Sequence, residues 1–392
     1  MKHMLKKIAL TCAVGMTALA TNARAKGLAD INPDVAKALY SKDMLDPAQP
    51  VGPSPYRTWK SKNKGPFTIG YASSYAGNTW RANAMDELQK VIIPKWKGLG
   101  LLKDVIITQS NLNDSTQIQQ MRQLVDQGVD AIIVCCSNPT ALNQTVKYAY
   151  DKGVPVFSLT GYLTSEYTMN SSVNYQVAGF QIGKSMADDL GGKGNVLVVE
   201  GIPGTSGSDS QDRGVKAGLA SAPGIKVVGS VAGMWTDQVA QGEVQKWLAT
   251  HPGKLDGVVV QSAAEMGVLR ALAQSGRKGV KVAVGGELGA LCTWRKNKDL
   301  ISSAVQTWPP ADEMELIWNI MMRTLQGQGP KVQSVMVAPV TLTYDDVAKA
   351  LPENCDENSQ NWLSVGADKW GASPSYLDKF FDKPADPAAY KP

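Results

Sequence analysis

The chain is 392 residues long, 43% hydrophobic and 19% charged, with 37 glycines and 21 prolines. That length supports two domains with separate cores, and no glycine period or polar tract marks a collagen-like or low-complexity chain. Lys2, Lys6, Lys7 and Arg24, with no acid before residue 26, take the charge of the rest from +5 down to +1. So neutral a remainder has no general electrostatic reason to bind nucleic acid.

Residues 1–25 read as an export signal. The lysines precede an apolar run over 8–20, which ends in Ala23-Arg24-Ala25, a small-x-small cleavage pattern. Cleavage after Ala25 and a periplasmic location are expected. The run is shorter than the roughly 20 apolar residues of a membrane span; an anchor or a buried first helix is the alternative. Cys12, preceded by Ala9-Leu10-Thr11, sits in a poor context for lipidation. Residues 26–64 carry Pro47, Pro50, Pro53 and Pro55 and are expected to wrap the surface as an extended arm.

From Pro66 onward, short apolar β-branched runs alternate with longer amphipathic stretches. Strands are expected over 67–72, 105–109, 131–135 and 154–159, then over 195–200, 226–230, 257–261, 281–285 and 301–306. Helical spacing occupies 79–91, 116–126, 139–152, 176–190, 210–220, 238–249, 265–275 and 312–325. Runs that are apolar throughout belong to parallel strands covered on both faces. The repeated strand–helix order predicts an α/β fold, doubly wound with right-handed crossovers. So many strands suit two sheets, and the polar stretch 167–174 is where the pattern breaks. Residues 344–392 lose the alternation and read as a polar tail.

Open α/β sheets bind ligands beyond the carboxyl ends of their strands. Those positions hold Ser74, Tyr75, Asn78, Trp80 and Arg81; Asn138; Thr160 and Tyr162; Trp235; Ser262; Glu287; and Trp308. Rings that stack and short polar groups that hydrogen-bond suit a sugar or polyol. The bland alternative for 78–81 is a helix cap with a packing tryptophan. The loop 201–207 is glycine-rich but lacks the Lys-Ser/Thr of a P-loop and the GxGxxG of a dinucleotide site, so no cofactor is expected. The chain's two histidines are His3 and His251. That excludes a histidine zinc site, and any Ser-His-Asp triad that does not use His251. Glu200, Glu265 and Glu287 are scattered acids, no metal set is present, and an enzyme is not expected.

Several segments resemble, in order, the ribose- and galactose-type (type I) periplasmic substrate-binding proteins of sugar ABC importers. They are 74–81; the run 123–133, Gln-Leu-Val-Asp-Gln-Gly-Val-Asp-Ala-Ile-Ile; Gly-Val-Pro-Val at 153–156; 191–196; 204–206; Asp212-Arg213-Gly214; and 339–342. The likeness covers 65–343. It implies two Rossmann-like lobes with a hinge of three crossings, one lobe being 65–170 with 308–332 and the other 171–307 with 333–343.

The resemblance also implies ligand positions. Asn78 and Trp80 match first-loop contacts, Arg81 takes the adjoining aromatic position, and Trp235 matches the second-lobe aromatic. An Asp-Arg pair of the family is Thr160-Gly161 here, and a second-lobe arginine falls near Gln211, with Arg213 retained. A family asparagine falls at Ala263, a later aspartate at Glu287, and a final glutamine near Thr307 or Trp308. Fewer charges and more aromatic surface favour a smaller polyol, a less hydroxylated sugar or a stacking ligand over ribose. Arg81 leaves room for an anion.

The expected protein is a monomer that closes on its ligand and hands it to a membrane ABC permease. The alternatives are a sensor that presents the ligand to a membrane receptor, or a binder of a non-carbohydrate anion or aromatic. A repressor reading lacks a helix-turn-helix. Of the four cysteines beyond the signal, Cys355 could pair with Cys292, tying the tail to the second lobe. Cys135 and Cys136 read as free thiols, because a bridge between neighbours strains the peptide.

Overall fold

The computed structural model describes residues 31–40, 44, 46–135, 138–302, 304–364 and 373–385. The export segment and Cys136 lie outside the described residues.

Continuous apolar runs need cover on both faces, and the chain supplies it with helices. The strands are β1 Phe67–Ser73, β2 Leu102–Gln109, β3 Ala131–Cys135, β4 Val156–Leu159, β5 Thr168–Val173, β6 Lys193–Glu200, β7 Gly224–Ala232, β8 Gly257–Val260, β9 Lys281–Val282, β10 Ala304–Thr307, β11 Ser334–Val337 and β12 Val340–Thr343. The helices are α1 Pro33–Leu39, α2 Thr79–Asp86, α3 Ile93–Gly98, α4 Asp114–Asp126, α5 Asn143–Asp151, α6 Tyr175–Asp189 and α7 Ser206–Leu219. They continue as α8 Asp237–Thr250, α9 Glu265–Gln274, α10 Leu288–Lys296, α11 Pro310–Leu325, α12 Tyr344–Ala350 and α13 Pro374–Asp378. A π-helical turn, Glu87–Ile92, joins α2 to α3.

The first lobe is a six-stranded parallel sheet in the order β11-β5-β4-β3-β1-β2, and the second a four-stranded one in the order β7-β6-β8-β9. The antiparallel ribbon β10-β12 belongs to the second lobe: Ser302 N–H donates to Val282 O at 3.0 Å, and Val305 is buried in that core. The chain therefore crosses between lobes after β5, after β10 and after β11. The β5 crossing is pinned by Asn174, which is fully buried, donates from its backbone to Val337 O at 3.3 Å and caps α6.

Two sequence expectations change here. The stretch 167–174 is not a pause but contains β5, an inner strand despite its sequence Thr-Met-Asn-Ser-Ser-Val. Its buried Asn170 is bonded on both sides: Asn170 Oδ1 accepts from Leu163 N at 3.0 Å, and Asn170 N donates to Gln333 O at 2.8 Å. The crossing placed before 333 falls instead between β11 and β12, because Ser334–Val337 pairs with β5 in the first sheet.

In their described residues, the outer segments hold more structure than an arm and a tail. Residues 31–64 include α1 and bury Tyr40 and Tyr56 in the first lobe's core. They also lie along the β11 edge, where Gln333 N donates to Gly52 O at 2.7 Å, which covers that edge of the first sheet. After residue 343 the chain forms α12 under a Thr343 capping box, and α13. Cys292 and Cys355 form a disulfide, with their Cα atoms 5.6 Å apart.

Helices α6 and α7 touch backbone to backbone through two glycine pairs. A Cβ on Gly179 would lie 2.1 Å from Gln211 O, and one on Gly214 2.0 Å from Gln176 O. No other residue allows that approach, which sets Gln211 at the gap between the lobes.

Candidate functional site

The loop after β1 enters α2 through Asn78, whose Oδ1 accepts from Arg81 N at 2.9 Å. Trp80 and Arg81, in the turn that follows the cap, line the cleft. Trp80 is buried and donates from Nε1 to Trp308 O at 2.9 Å, which fixes its ring. The Arg81 guanidinium lies 5.0 Å from the centroid of the Trp80 ring; it too is buried, and its Nη1 has no hydrogen-bond partner. Thr160, at φ 53°, places its hydroxyl 2.5 Å from the Tyr175 hydroxyl. The Tyr175 ring meets Trp308 edge-on at 5.7 Å.

The second lobe contributes from loops with left-handed backbone. Trp235 has φ 52°, and its ring lies on Gly201, where a Cβ would be 2.1 Å from the indole. Ser262 and Ala263 have φ 64° and 56°. Gln261 Oε1 accepts from Gly201 N at 2.9 Å and Ser208 Oγ at 2.8 Å, bracing the Trp235 loop against α7. The buried amide of Gln211 (Nε2) and the buried hydroxyl of Ser262 (Oγ) have no protein partner.

These groups surround one cleft between the lobes, about 450 Å³ counted out to its open mouth. Of the expected residues, Asn78, Trp80, Arg81, Thr160, Gln211, Trp235, Ser262 and Trp308 line it. Tyr175, Gly207, Gln261, Ala263 and Trp362 line it as well. Tyr175 sits just past a crossing within the stretch read as polar, and nothing in the sequence near Trp362 marks it.

Six expected residues stand away from the cleft, each for a visible reason. Ser74 is held by its backbone, which donates to Cys135 O at 3.1 Å and accepts from Leu112 N at 2.6 Å. Tyr75 reaches past the cleft to the other lobe, its hydroxyl 2.7 Å from Thr236 Oγ1. Asn138 uses its side chain to cap a turn, accepting from Thr140 N at 2.9 Å and Ala141 N at 3.1 Å. Tyr162 and Arg213 belong to a second junction between the lobes. There Tyr162 N donates to Ser206 Oγ at 3.1 Å, while exposed Arg213 bonds Ser210 Oγ at 2.8 Å and faces Asp46 at 4.0 Å. Glu287 is buried behind Trp362, with which it forms a backbone bridge.

Three buried carboxyls surround the site. Burial pushes Glu313 up to about 8, and the nearby Arg81 charge only partly offsets it. Burial, then the charges of Glu265 and Asp237, push Glu287 up to about 8. Glu265 is also raised by burial, although it accepts from Gly285 N at 2.6 Å and Ala264 N at 2.9 Å. They lie on separate elements; backbone bonds hold Glu265, while both carboxyl oxygens of Glu313 and Oε2 of Glu287 have no hydrogen-bond partner. Among the described residues no group of side chains is arranged to hold a metal ion, and no helix is long and apolar enough to cross a membrane.

The two parallel sheets, the three crossings and the cleft between them have a counterpart in known proteins. The sequence pattern of the periplasmic binding protein domain matches residues 69–329. The chain belongs to the periplasmic binding protein family. That family consists of exported binding proteins, and the type I sugar-binding members of ABC transporters are those this chain resembles. This periplasmic binding protein is 31% identical over 254 residues to the xylitol-binding protein of Mycolicibacterium smegmatis, covering 63% of this chain and 71% of that one. It is 26% identical to the ribose import binding protein of Bacillus subtilis, covering 76% and 92%. An ABC transporter solute-binding protein from Mycobacterium smegmatis, solved with glycerol bound, superposes with a TM-score of 0.66 at 18% identity, covering 74% of this chain and 99% of that one.

Proposed function

We propose that the cleft binds a small neutral polyol or sugar of pentitol size, in the periplasm, and delivers it to an ABC importer. The observation that carries the reading is the lining itself. Three buried donors, Arg81 Nη1, Gln211 Nε2 and Ser262 Oγ, lack protein partners among indole and phenol walls. A buried donor left unpaired costs about 1–3 kcal/mol. Ligand hydroxyls remove that cost, while the tryptophans cover the C–H faces of the carbon chain. The names of the xylitol-binding and ribose import relatives support the same class.

Binding works by hinge closure. Asn78, Trp80, Arg81 and Thr160 belong to the first lobe, while Gln211, Trp235 and Ser262 belong to the second. A ligand touching both sets binds the closed form better, and that difference in affinity shifts the equilibrium. A permease then recognises the closed pair of lobes. Arg81 does not require an anionic ligand, since its charge already interacts with the Trp80 ring.

Thermal melts of residues 26–392 with xylitol, other pentitols, ribose, sugar acids and small aromatics test the reading, because a ligand of the folded state raises the melting point by mass action. A rise confined to polyols and neutral sugars is expected. A rise with sugar acids or aromatics alone would overturn it.

A further inference from the structure

The family match ends at residue 329, yet one wall of the cleft comes from beyond it. Residues 355–364 run along the second lobe as an added strap. The Cys292–Cys355 disulfide fastens one end to α10. From there Gly289 N donates to Ser359 O at 3.0 Å, Leu288 N to Asn361 O at 2.8 Å and Leu363 N to Gly286 O at 2.8 Å. The seat is close: a Cβ on Gly289 would lie 2.6 Å from Glu357 O.

The other side of the strap touches the first lobe. Trp362 Nε1 donates to Thr79 Oγ1 at 3.1 Å, and Asn83 Nδ2 donates to Gln360 O at 3.0 Å. Ser364 Oγ donates to the Asp312 carboxylate at 3.1 Å. Trp362 lines the ligand cleft and also a second cavity, walled by Asn83, Glu87, Pro310 and Ser364.

We propose that Trp362 is a ligand-contact residue that sets the upper size of the ligand, and that the disulfide-anchored strap 355–364 is a third wall closing with the lobes. The proposal rests on the polyol reading of the cleft. Without the indole the two cavities merge, so a pentitol loses a stacking face and a longer molecule gains room. With the strap fixed covalently to the second lobe, its bonds to Thr79, Asn83 and Asp312 form only when the first lobe swings in.

Calorimetric titration of the wild type, Trp362→Ala and Trp362→Phe with xylitol, a hexitol and a disaccharide tests the size limit. Trp362→Ala is expected to weaken pentitol binding about tenfold or more and to shift the pentitol-to-larger-ligand preference by at least as much; Trp362→Phe falls between. A uniform loss at unchanged preference, with a lowered melting point, would reduce Trp362 to packing and overturn the size role. Failure of every probe to bind the wild type would instead overturn the polyol reading. The strap has its own readout in amide hydrogen exchange of the ligand-free Cys292→Ser/Cys355→Ser variant. Faster exchange at Leu288, Gly289 and Leu363 is expected, and unchanged exchange there overturns the anchoring role of the disulfide.

Discussion

The hydroxyls of Tyr75 and Thr236 lie 2.7 Å apart, one from each lobe. Tyr75 leaves the first lobe just after β1 and reaches the turn that carries Trp235, so this bond exists only when the lobes are together. The Tyr75 hydroxyl also lies 3.4 Å from Met234 O. In the proposed closure this bond would add a direct protein–protein component to the one supplied by ligand.

Tyr75→Phe keeps the ring and removes the latch. A neutral hydrogen bond contributes about 0.5–1.5 kcal/mol, so ligand affinity is expected to fall by about two- to tenfold. The melting point of the ligand-free protein should barely change. Small-angle scattering should show a more open ligand-free form, and an unchanged profile with unchanged affinity would remove the latch role.

The raised carboxyls give a pH dependence with a definite direction. Glu313 and Glu287 titrate near 8 in the folded protein and near the ordinary carboxyl value of about 4.3 when unfolded. Between those values the folded state holds protons that the unfolded state has released, so stability falls as pH rises. The slope is at most about 1.4 kcal/mol per pH unit for each group, and it vanishes above about pH 8. Melting curves from pH 5 to 8 should therefore decline, and Glu313→Gln should flatten part of that decline. A wild-type melting point rising over this window would contradict the burial of these groups.

Gly214→Ala tests the α6–α7 contact. A methyl group 2.0 Å from Gln176 O must push the helices apart. Overpacking of this kind costs about 1–3 kcal/mol. Because Gln211 lies on the same helix, weaker ligand binding should accompany the lower melting point. A variant as stable as the wild type would mean that the contact has slack.

Trp235→Ala removes one wall while leaving both cores intact, since the residue is only half-buried. Affinity should drop by about tenfold, from the loss of stacking worth about 0.5–1.5 kcal/mol and of covered apolar area. Stability should change little. Titration of the variant with the best wild-type ligand decides it.

Most of the scaffold was legible because its signals are local. Ala131–Cys135 is buried along its whole length, and such a run shows in the sequence as an unbroken apolar stretch. Residues following the strands, such as Trp80, Trp235 and Ser262, line the cleft because a parallel sheet delivers all its strand ends to one side. Tyr162 and Arg213 also follow or flank such ends, but they meet at another junction between the lobes. Strand-end position therefore says which side of the sheet a residue is on, not which gap it faces.

The sequence by itself determined the α/β class and the two-lobe plan, through strand–helix periodicity, the number of strands and the ordered segments that resemble a known family. Only the tertiary structure decided that Thr168–Val173 is an inner strand. The buried Asn170 side chain is tolerated there because Leu163 and Ser334 complete its hydrogen bonds. It also decided that Trp362 lines the cleft, bonded to Thr79 across a sequence separation of 283. Contacts of that range leave no periodic trace, because what determines them is where the chain returns in space.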